Sequence, residues 1–221
     1  MKVLTIPGGG GVIIDLQFLE VEQMEEITQN KRRRYFLAEA RKAIANGDAV
    51  AMLGLVKGAK GFYFDDIVKM LSVGVAECGD AKGIFDFALW GTSEHVDVLA
   101  KGIAKTGNAQ YIVKFAKEVE DAPIGLLADA LVHAGNVEGI CDFAAEVAGA
   151  PISKLANAVI ENGSAEAIYK FASRVEYAPI GLLASAIVAT GETDWIVKFA
   201  KDVKYAPKQM AAMLEDDEDQ R

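Results

Sequence analysis

One residue recurs at a fixed interval from position 79 to position 191 of this chain, and that interval limits the folds that the chain can adopt. The residue is glycine and the interval is 28 positions, giving Gly79, Gly107, Gly135, Gly163 and Gly191. Repeats of this size are typical of proteins in which one small unit is stacked on the next. The sequence therefore predicts a repeat array in this region.

Apolar residues stand at fixed distances after each glycine. Isoleucine follows at five positions, Phe-Ala at eight and nine, and valine at twelve, with Gly91 replacing valine in the first unit. Residues spaced in this way lie on one face of a helix. The shared phenylalanines are Phe87, Phe115, Phe143, Phe171 and Phe199.

Each unit is then interrupted by proline sixteen residues after its glycine, with His95 in that place in the first unit. The prolines are Pro123, Pro151, Pro179 and Pro207. Proline ends one helix and is tolerated at the start of the next, and the following glycine can cap the second helix. Each unit is therefore predicted to be a pair of short helices, which must stack on neighbouring pairs to bury their apolar faces.

The predicted fold is all-α, a right-handed α-solenoid of 28-residue helical hairpins that carries a small N-terminal β-hairpin or extended arm. The arm is expected because apolar runs flank a proline and four glycines near the N-terminus. The predicted segments are the arm at 1–20, two capping helices within 21–46, the repeats at 47–214, and an acidic disordered tail at 215–221. Within the repeats, 47–78 forms a degenerate unit, and regular units begin at 79, 107, 135, 163 and 191.

The pattern Ile-x-x-Phe-Ala-x-x-Val, followed by Ala-Pro and by Leu-Leu-x-x-Ala, covers roughly residues 79–207. It resembles uncharacterised α-helical repeat proteins encoded by bacteria and their phages. Those proteins supply no activity that can be carried over to this chain. The resemblance therefore implies an architecture and no chemistry.

Charge and cysteine content narrow the classes of function. The formal net charge of −9 argues against binding nucleic acid by neutralising phosphates. Cys78 and Cys141 are far apart and have no metal-ligand spacing, so we expect buried free thiols in a reducing, cytoplasmic compartment. No apolar stretch has the length of a membrane span, so we expect no membrane association.

No group of residues commits to catalysis, to a metal or to a cofactor. The N-terminal glycine run lacks the spacing of a nucleotide-binding loop. His95 and His133 occupy different repeat positions, and the basic run at 31–34 is interpreted as a solvated helix start. The aromatic residues Tyr111, Trp195, Tyr177 and Tyr205 are predicted to pack at unit junctions, with the alternative that some of them are contact anchors for a partner.

A partner-binding surface is predicted on the second helix of each unit, at positions eighteen, twenty-two and twenty-six after the glycine. These positions carry small and polar residues that vary between units while the core positions do not. The alternative interpretation is an ordinary solvated face. The predicted binding residues are Asp97, Lys101, Lys105, Asp129, His133, Ser153, Asn157, Glu161 and Ser185.

Three functions are compatible with these features. The first is a non-enzymatic scaffold or adaptor that binds another protein, with self-association through the N-terminal arm as an option. The second is an acidic inhibitor or nucleic-acid mimic that occupies a partner's basic groove, as a phage anti-defence protein could do. The third is an enzyme whose site lies in the first 78 residues.

Overall fold

The computed structural model describes residues 16–59, 64–91, 94–208 and 210, and over these residues the chain is helical with no strand. The predicted all-α class is confirmed for this part of the chain. The helices are α1 (Leu16–Ala45), α2 (Ala49–Ala59), α3 (Asp65–Glu77), α4 (Ala81–Trp90), α5 (Val96–Thr106), α6 (Ala109–Glu118), α7 (Ile124–His133), α8 (Val137–Glu146), α9 (Ile152–Asn162), α10 (Ala165–Arg174), α11 (Ile180–Thr190) and α12 (Thr193–Asp202).

The regular units begin with α4. The units from 79, 107, 135 and 163 have the predicted first and second helix, and the unit from 191 has its first helix, whereas most of its predicted second helix lies outside the described residues. We call α4, α6, α8, α10 and α12 the A helices, and α5, α7, α9 and α11 the B helices. Gly107 and Gly191 end α5 and α11 with φ angles of 66° and 71°, as predicted for left-handed C-caps. Gly163 ends α9 in an extended conformation instead, and a Cβ there would lie 2.3 Å from the carbonyl oxygen of Val159.

Helix contacts in the described part of the chain are local in sequence. Every helix packs against the next helix and against the next but one, and no described helix contacts one farther along. A helices therefore pack against A helices, and B helices against B helices, while α6, α8 and α10 also pack on the B helices before and after them.

The core is one continuous cluster that extends along the whole array from Ala40 to Met210. The repeated phenylalanine contributes one fully buried ring to each unit, and the valines four residues later are buried beside it. From the B helices, the cluster receives buried aliphatic pairs such as Leu127 and Leu131. The fully buried rings are Phe87, Phe115, Phe143, Phe171 and Phe199.

The N-terminal prediction is corrected where the structure describes it. Residues 1–15 of the predicted hairpin or arm lie outside the described residues, but residues 16–20 of it belong to α1. The two predicted capping helices are one helix of 30 residues, because no proline or glycine interrupts the sequence from Leu16 to Ala45. The acidic tail at 215–221 also lies outside the described residues.

The degenerate unit consists of α2 and α3, which are separated by residues 60–63 outside the described part. Its first helix is joined to the array by Met52 and Val56, and its second by Ile67, Leu71 and Val75, all of which are buried. Among the described helices, none is both long enough and apolar enough to cross a bilayer.

Candidate partner-binding surface

The predicted binding residues of the B helices all reach the solvent. Eight of the nine are exposed and Asp129 is half-buried. The intervening positions Leu127 and Leu131 point into the core, so the outward position of this stripe follows from the helical period. Its role in binding stays a prediction.

Some polar groups of the stripe already have partners within the chain. Asp129 forms an ion pair with Lys154, which connects α7 to α9. The ring nitrogen Nδ1 of His133 lies 2.7 Å from the backbone oxygen of Asp129, so this histidine is held against its own helix. The hydroxyl of Ser185 donates to the backbone oxygen of Gly181 at 3.1 Å. The remaining side chains, such as Asn157 and Glu161, are exposed.

The prediction that Tyr177 and Tyr205 pack at unit junctions is wrong. Their side chains are 87% and 80% exposed. Both residues lie in the turn between an A helix and the following B-helix position, and their backbones are left-handed, with φ of 59° and 66°. Neither ring is packed between helices.

The same prediction is confirmed for Tyr111 and Trp195. The Tyr111 ring lies 6.0 Å from the ring of Phe85, between α4 and α6. The Trp195 ring lies 5.5 Å from the ring of Tyr169, between α10 and α12. These aromatic pairs fill the surface between consecutive A helices at two places in the array.

Two grooves lie between the other consecutive A helices. The α8–α10 groove has a volume of about 470 Å³ and is lined by Val137, Glu138, Cys141, Asn162, Gly163, Ser164, Glu166, Ala167, Lys170 and Arg174. The α6–α8 groove has a volume of about 380 Å³ and is lined by Ala109, Gln110, Val113, Lys114, Asn136, Glu138, Gly139, Asp142 and Glu146. A third groove, of about 370 Å³, lies between α1 and α2.

The two cysteines are free thiols in different environments. Cys141 is buried below the α8–α10 groove, and burial raises its pKa to about 11. The thiol is therefore protonated near neutral pH and is a poor nucleophile. Cys78 is only half-buried, and its Sγ donates to the backbone oxygen of Val75 at 2.9 Å. The expectation of buried thiols is correct for Cys141 alone.

The remaining polar candidates lie apart from one another. The basic run at 31–34 is exposed in the middle of α1, not at a helix start as predicted, and Arg33 pairs with Asp66 of α3 at 2.5 Å. His95 precedes α5, whereas His133 is the last residue of α7. Among the described residues, no three His, Cys, Asp or Glu side chains form a group that could hold a metal ion.

Comparison of the chain with protein-family models, with curated proteins and with solved structures gave no match. The units can still be compared with one another, because equivalent residues differ by 28 in number. The junctions with aromatic pairs have rings at positions four and six of adjoining units, whereas Ala167 and Cys141 occupy these positions at the α8–α10 groove. The sequence analysis predicted neither groove, although comparing equivalent positions of the repeat units would have indicated both.

Proposed function

We propose that the chain is a non-enzymatic scaffold, built as an α-solenoid, that binds another protein through the outer face of its B helices. The solenoid is supported by the contacts of each described helix, which reach only the next helix and the next but one. In such an array the core residues hold neighbouring units together, and the outward residues are free to vary.

The observation that carries the proposal is the contrast between these two sets of positions. The core phenylalanine is the same residue in every unit and is fully buried in each. The outward B-helix positions differ from unit to unit, for example Lys101, Asp129, Asn157 and Ser185 at one offset, and none of them is buried. A surface that varies on a constant framework is suited to recognise a specific partner.

Mixed charge on this surface favours the scaffold over the acidic inhibitor. Lys101 and Lys105 lie on α5, whereas Asp129 and Glu161 lie on α7 and α9. An inhibitor that occupies a basic groove would present one sign of charge, and its affinity would fall steeply with salt. We expect the partner's affinity to change little between low and physiological salt.

The test is capture of a partner by the tagged full chain from its native cell, followed by affinity measurements on variants. The triple variant His133→Ala, Asn157→Ala, Glu161→Ala removes exposed polar groups of α7 and α9, and we expect it to weaken binding by about tenfold or more. The matched control, Ser173→Ala with Lys201→Ala, changes exposed residues of the A helices and should leave the affinity unchanged. Equal affinity of all three proteins would show that the B-helix face is not the binding surface.

A further inference from the structure

A three-part arrangement recurs at two junctions between A helices. A ring four residues after the repeat glycine contacts a ring on the preceding A helix, and a lysine three residues later lies over the first ring. In α6, Lys114 Nζ is 5.1 Å from the centroid of Tyr111, and in α12, Lys198 Nζ is 4.2 Å from the centroid of Trp195. Such cation–π contacts stabilise the ring in its position.

At the α8–α10 groove the lysine is present and both rings are absent. Lys170 occupies the position of Lys114 and Lys198, but Ala167 and Cys141 replace the two aromatic residues. The volume left open is the groove of about 470 Å³. Lys170 is exposed, and its one ion pair among the described residues is with Glu166 of its own helix, at 2.8 Å. An exposed pair of this kind is weak, so the ammonium can turn to another partner at little cost.

The neighbouring α6–α8 junction also lacks both rings. Val113 and Gly139 stand where the α4–α6 and α10–α12 junctions have aromatic residues, and a groove of about 380 Å³ lies at this junction. Gly139 is buried, and a Cβ there would lie 2.6 Å from the Cβ of Ala109, so the chain cannot fill this groove with a side chain at that position. The two grooves therefore lie on either side of α8.

The charge between the grooves is negative. Glu138 lines both of them and takes part in no ion pair or hydrogen bond among the described residues, although the pKa of Lys170 is raised first by its hydrogen bond to Glu166 and then also by the charge of Glu138. Each of the other two carboxylates of α8 already has a partner in an exposed ion pair, Asp142 with Arg174 at 2.8 Å and Glu146 with Lys117 at 3.0 Å. Glu138 is therefore the carboxylate of this helix that can bind a basic group without giving up an ion pair.

We propose that these two grooves bind an extended segment of a partner protein that carries two aromatic side chains with a basic residue between them. One ring occupies the α8–α10 groove under Lys170, the other occupies the α6–α8 groove, and the basic side chain pairs with Glu138. Packed helices are about 8–10 Å apart. A polyproline II segment places residues i and i+3 on one face about 9 Å apart, which matches a spacing of one helix.

The probe for this site is the labelled peptide acetyl-Gly-Trp-Lys-Pro-Trp-Gly-amide, with fluorescence anisotropy as the readout on the full chain. The comparison peptide replaces both tryptophans with alanine. We expect saturable binding of the first peptide and none of the second at equal concentration. Absence of binding by the tryptophan peptide, or equal binding by both peptides, overturns the proposal.

Variants of the chain locate the site. Ala167→Trp places the chain's own ring where Trp195 stands in the last unit, and it should weaken peptide binding by about tenfold or more because the groove is then filled. The control Ala145→Trp adds the same side chain at an exposed position of α8 that does not line either groove, and it should leave binding unchanged. Lys170→Gln should weaken binding about two- to fivefold through loss of the cation–π contact.

Circular dichroism and thermal unfolding of each variant distinguish a loss of peptide binding from a loss of the folded structure. Ala167 is only half-buried, so we expect the Ala167→Trp protein to keep its helical signal and its melting temperature. A folded Ala167→Trp protein that binds the tryptophan peptide as tightly as the unchanged protein refutes the site. These measurements do not involve the B-helix face, so their outcome is independent of the partner capture described above.

Discussion

At the scale of single residues, the turn after the A helix requires a left-handed backbone fourteen positions after the repeat glycine. Asp121, Gly149, Tyr177 and Tyr205 have φ angles of 56°, 75°, 59° and 66° there. A side chain in this conformation costs about 1–2 kcal/mol relative to the right-handed one. Because residues as different as aspartate and tyrosine adopt it, the packing of the flanking helices imposes the conformation.

Two glycine substitutions are expected to change stability in opposite directions. Gly149→Ala should lower the free energy of unfolding by about 1 kcal/mol, because alanine is strained at positive φ. Gly125→Ala lies in α7 at an exposed position, and it should raise that free energy by about 0.5–1 kcal/mol through higher helix propensity. A Cβ at either position meets no atom within 4 Å, so the comparison isolates the backbone. Urea unfolding monitored by circular dichroism measures both, and shifts of the same sign would contradict this explanation.

At the scale of helices, the A helices are fixed at their N-termini by a side chain one position after the repeat glycine. Asn108, Asn136 and Ser164 precede α6, α8 and α10, and each accepts a hydrogen bond from a backbone N–H of the first turn. The distances from donor nitrogen to acceptor oxygen are 3.3, 2.8 and 3.3 Å. At α12 this position is Glu192, which makes no such bond. The last A helix therefore lacks a stabilising contact that the others have.

One substitution that removes an N-cap hydrogen bond and one that supplies the missing N-cap acceptor at α12 should confirm this difference. Asn136→Ala removes the 2.8 Å bond to the N–H of Gly139 and should lower the free energy of unfolding by about 1 kcal/mol. Glu192→Asn supplies the missing acceptor at α12 and should raise the stability of that helix by up to about 1 kcal/mol. Hydrogen exchange of α12 amides reports the second change. Unchanged exchange there, together with a stable Asn136→Ala protein, would show that the caps contribute little.

The positions of the repeat helices could be predicted from the sequence more reliably than the exposure of turn residues or the grooves between helices. Glycine marks the unit boundary at every repeat and proline marks the turn between the two helices in every unit but the first. The apolar spacing determines which positions are buried, so the helix pairs from α4 onward could be predicted. The prediction of two capping helices within 21–46 was wrong because polar residues within a helix do not end it, and α1 continues through Asn30. The exposure of Tyr177 depends on a left-handed backbone, for which a tyrosine gives no sequence signal. The outward B-helix face followed from periodicity, whereas the grooves depend on which side chains are absent at a junction.

At the scale of the whole molecule, we expect the units to differ in their free energy of unfolding, according to their place along the chain. Each described helix contacts only helices near it in sequence, so a unit in the middle is supported on both sides. Arrays of this kind are stabilised by each unit and by its interfaces with neighbours, and opening is easiest where one of those interfaces is weak or missing. The effect of a core substitution should therefore depend on its place in the array.

Two variants, each lacking one of the repeated phenylalanine rings, test this dependence. Phe143→Ala and Phe199→Ala each delete a fully buried ring, and each should destabilise its own unit by about 3–5 kcal/mol. In the Phe199→Ala protein, we expect faster hydrogen exchange in α11 and α12 while α4 to α8 keep their protection. In the Phe143→Ala protein, exchange should increase in α7 to α10, on both sides of the cavity, and the melting temperature should fall further. If both variants lose protection uniformly from α4 to α12, the chain unfolds as one cooperative body, and the proposed solenoid does not describe its energetics.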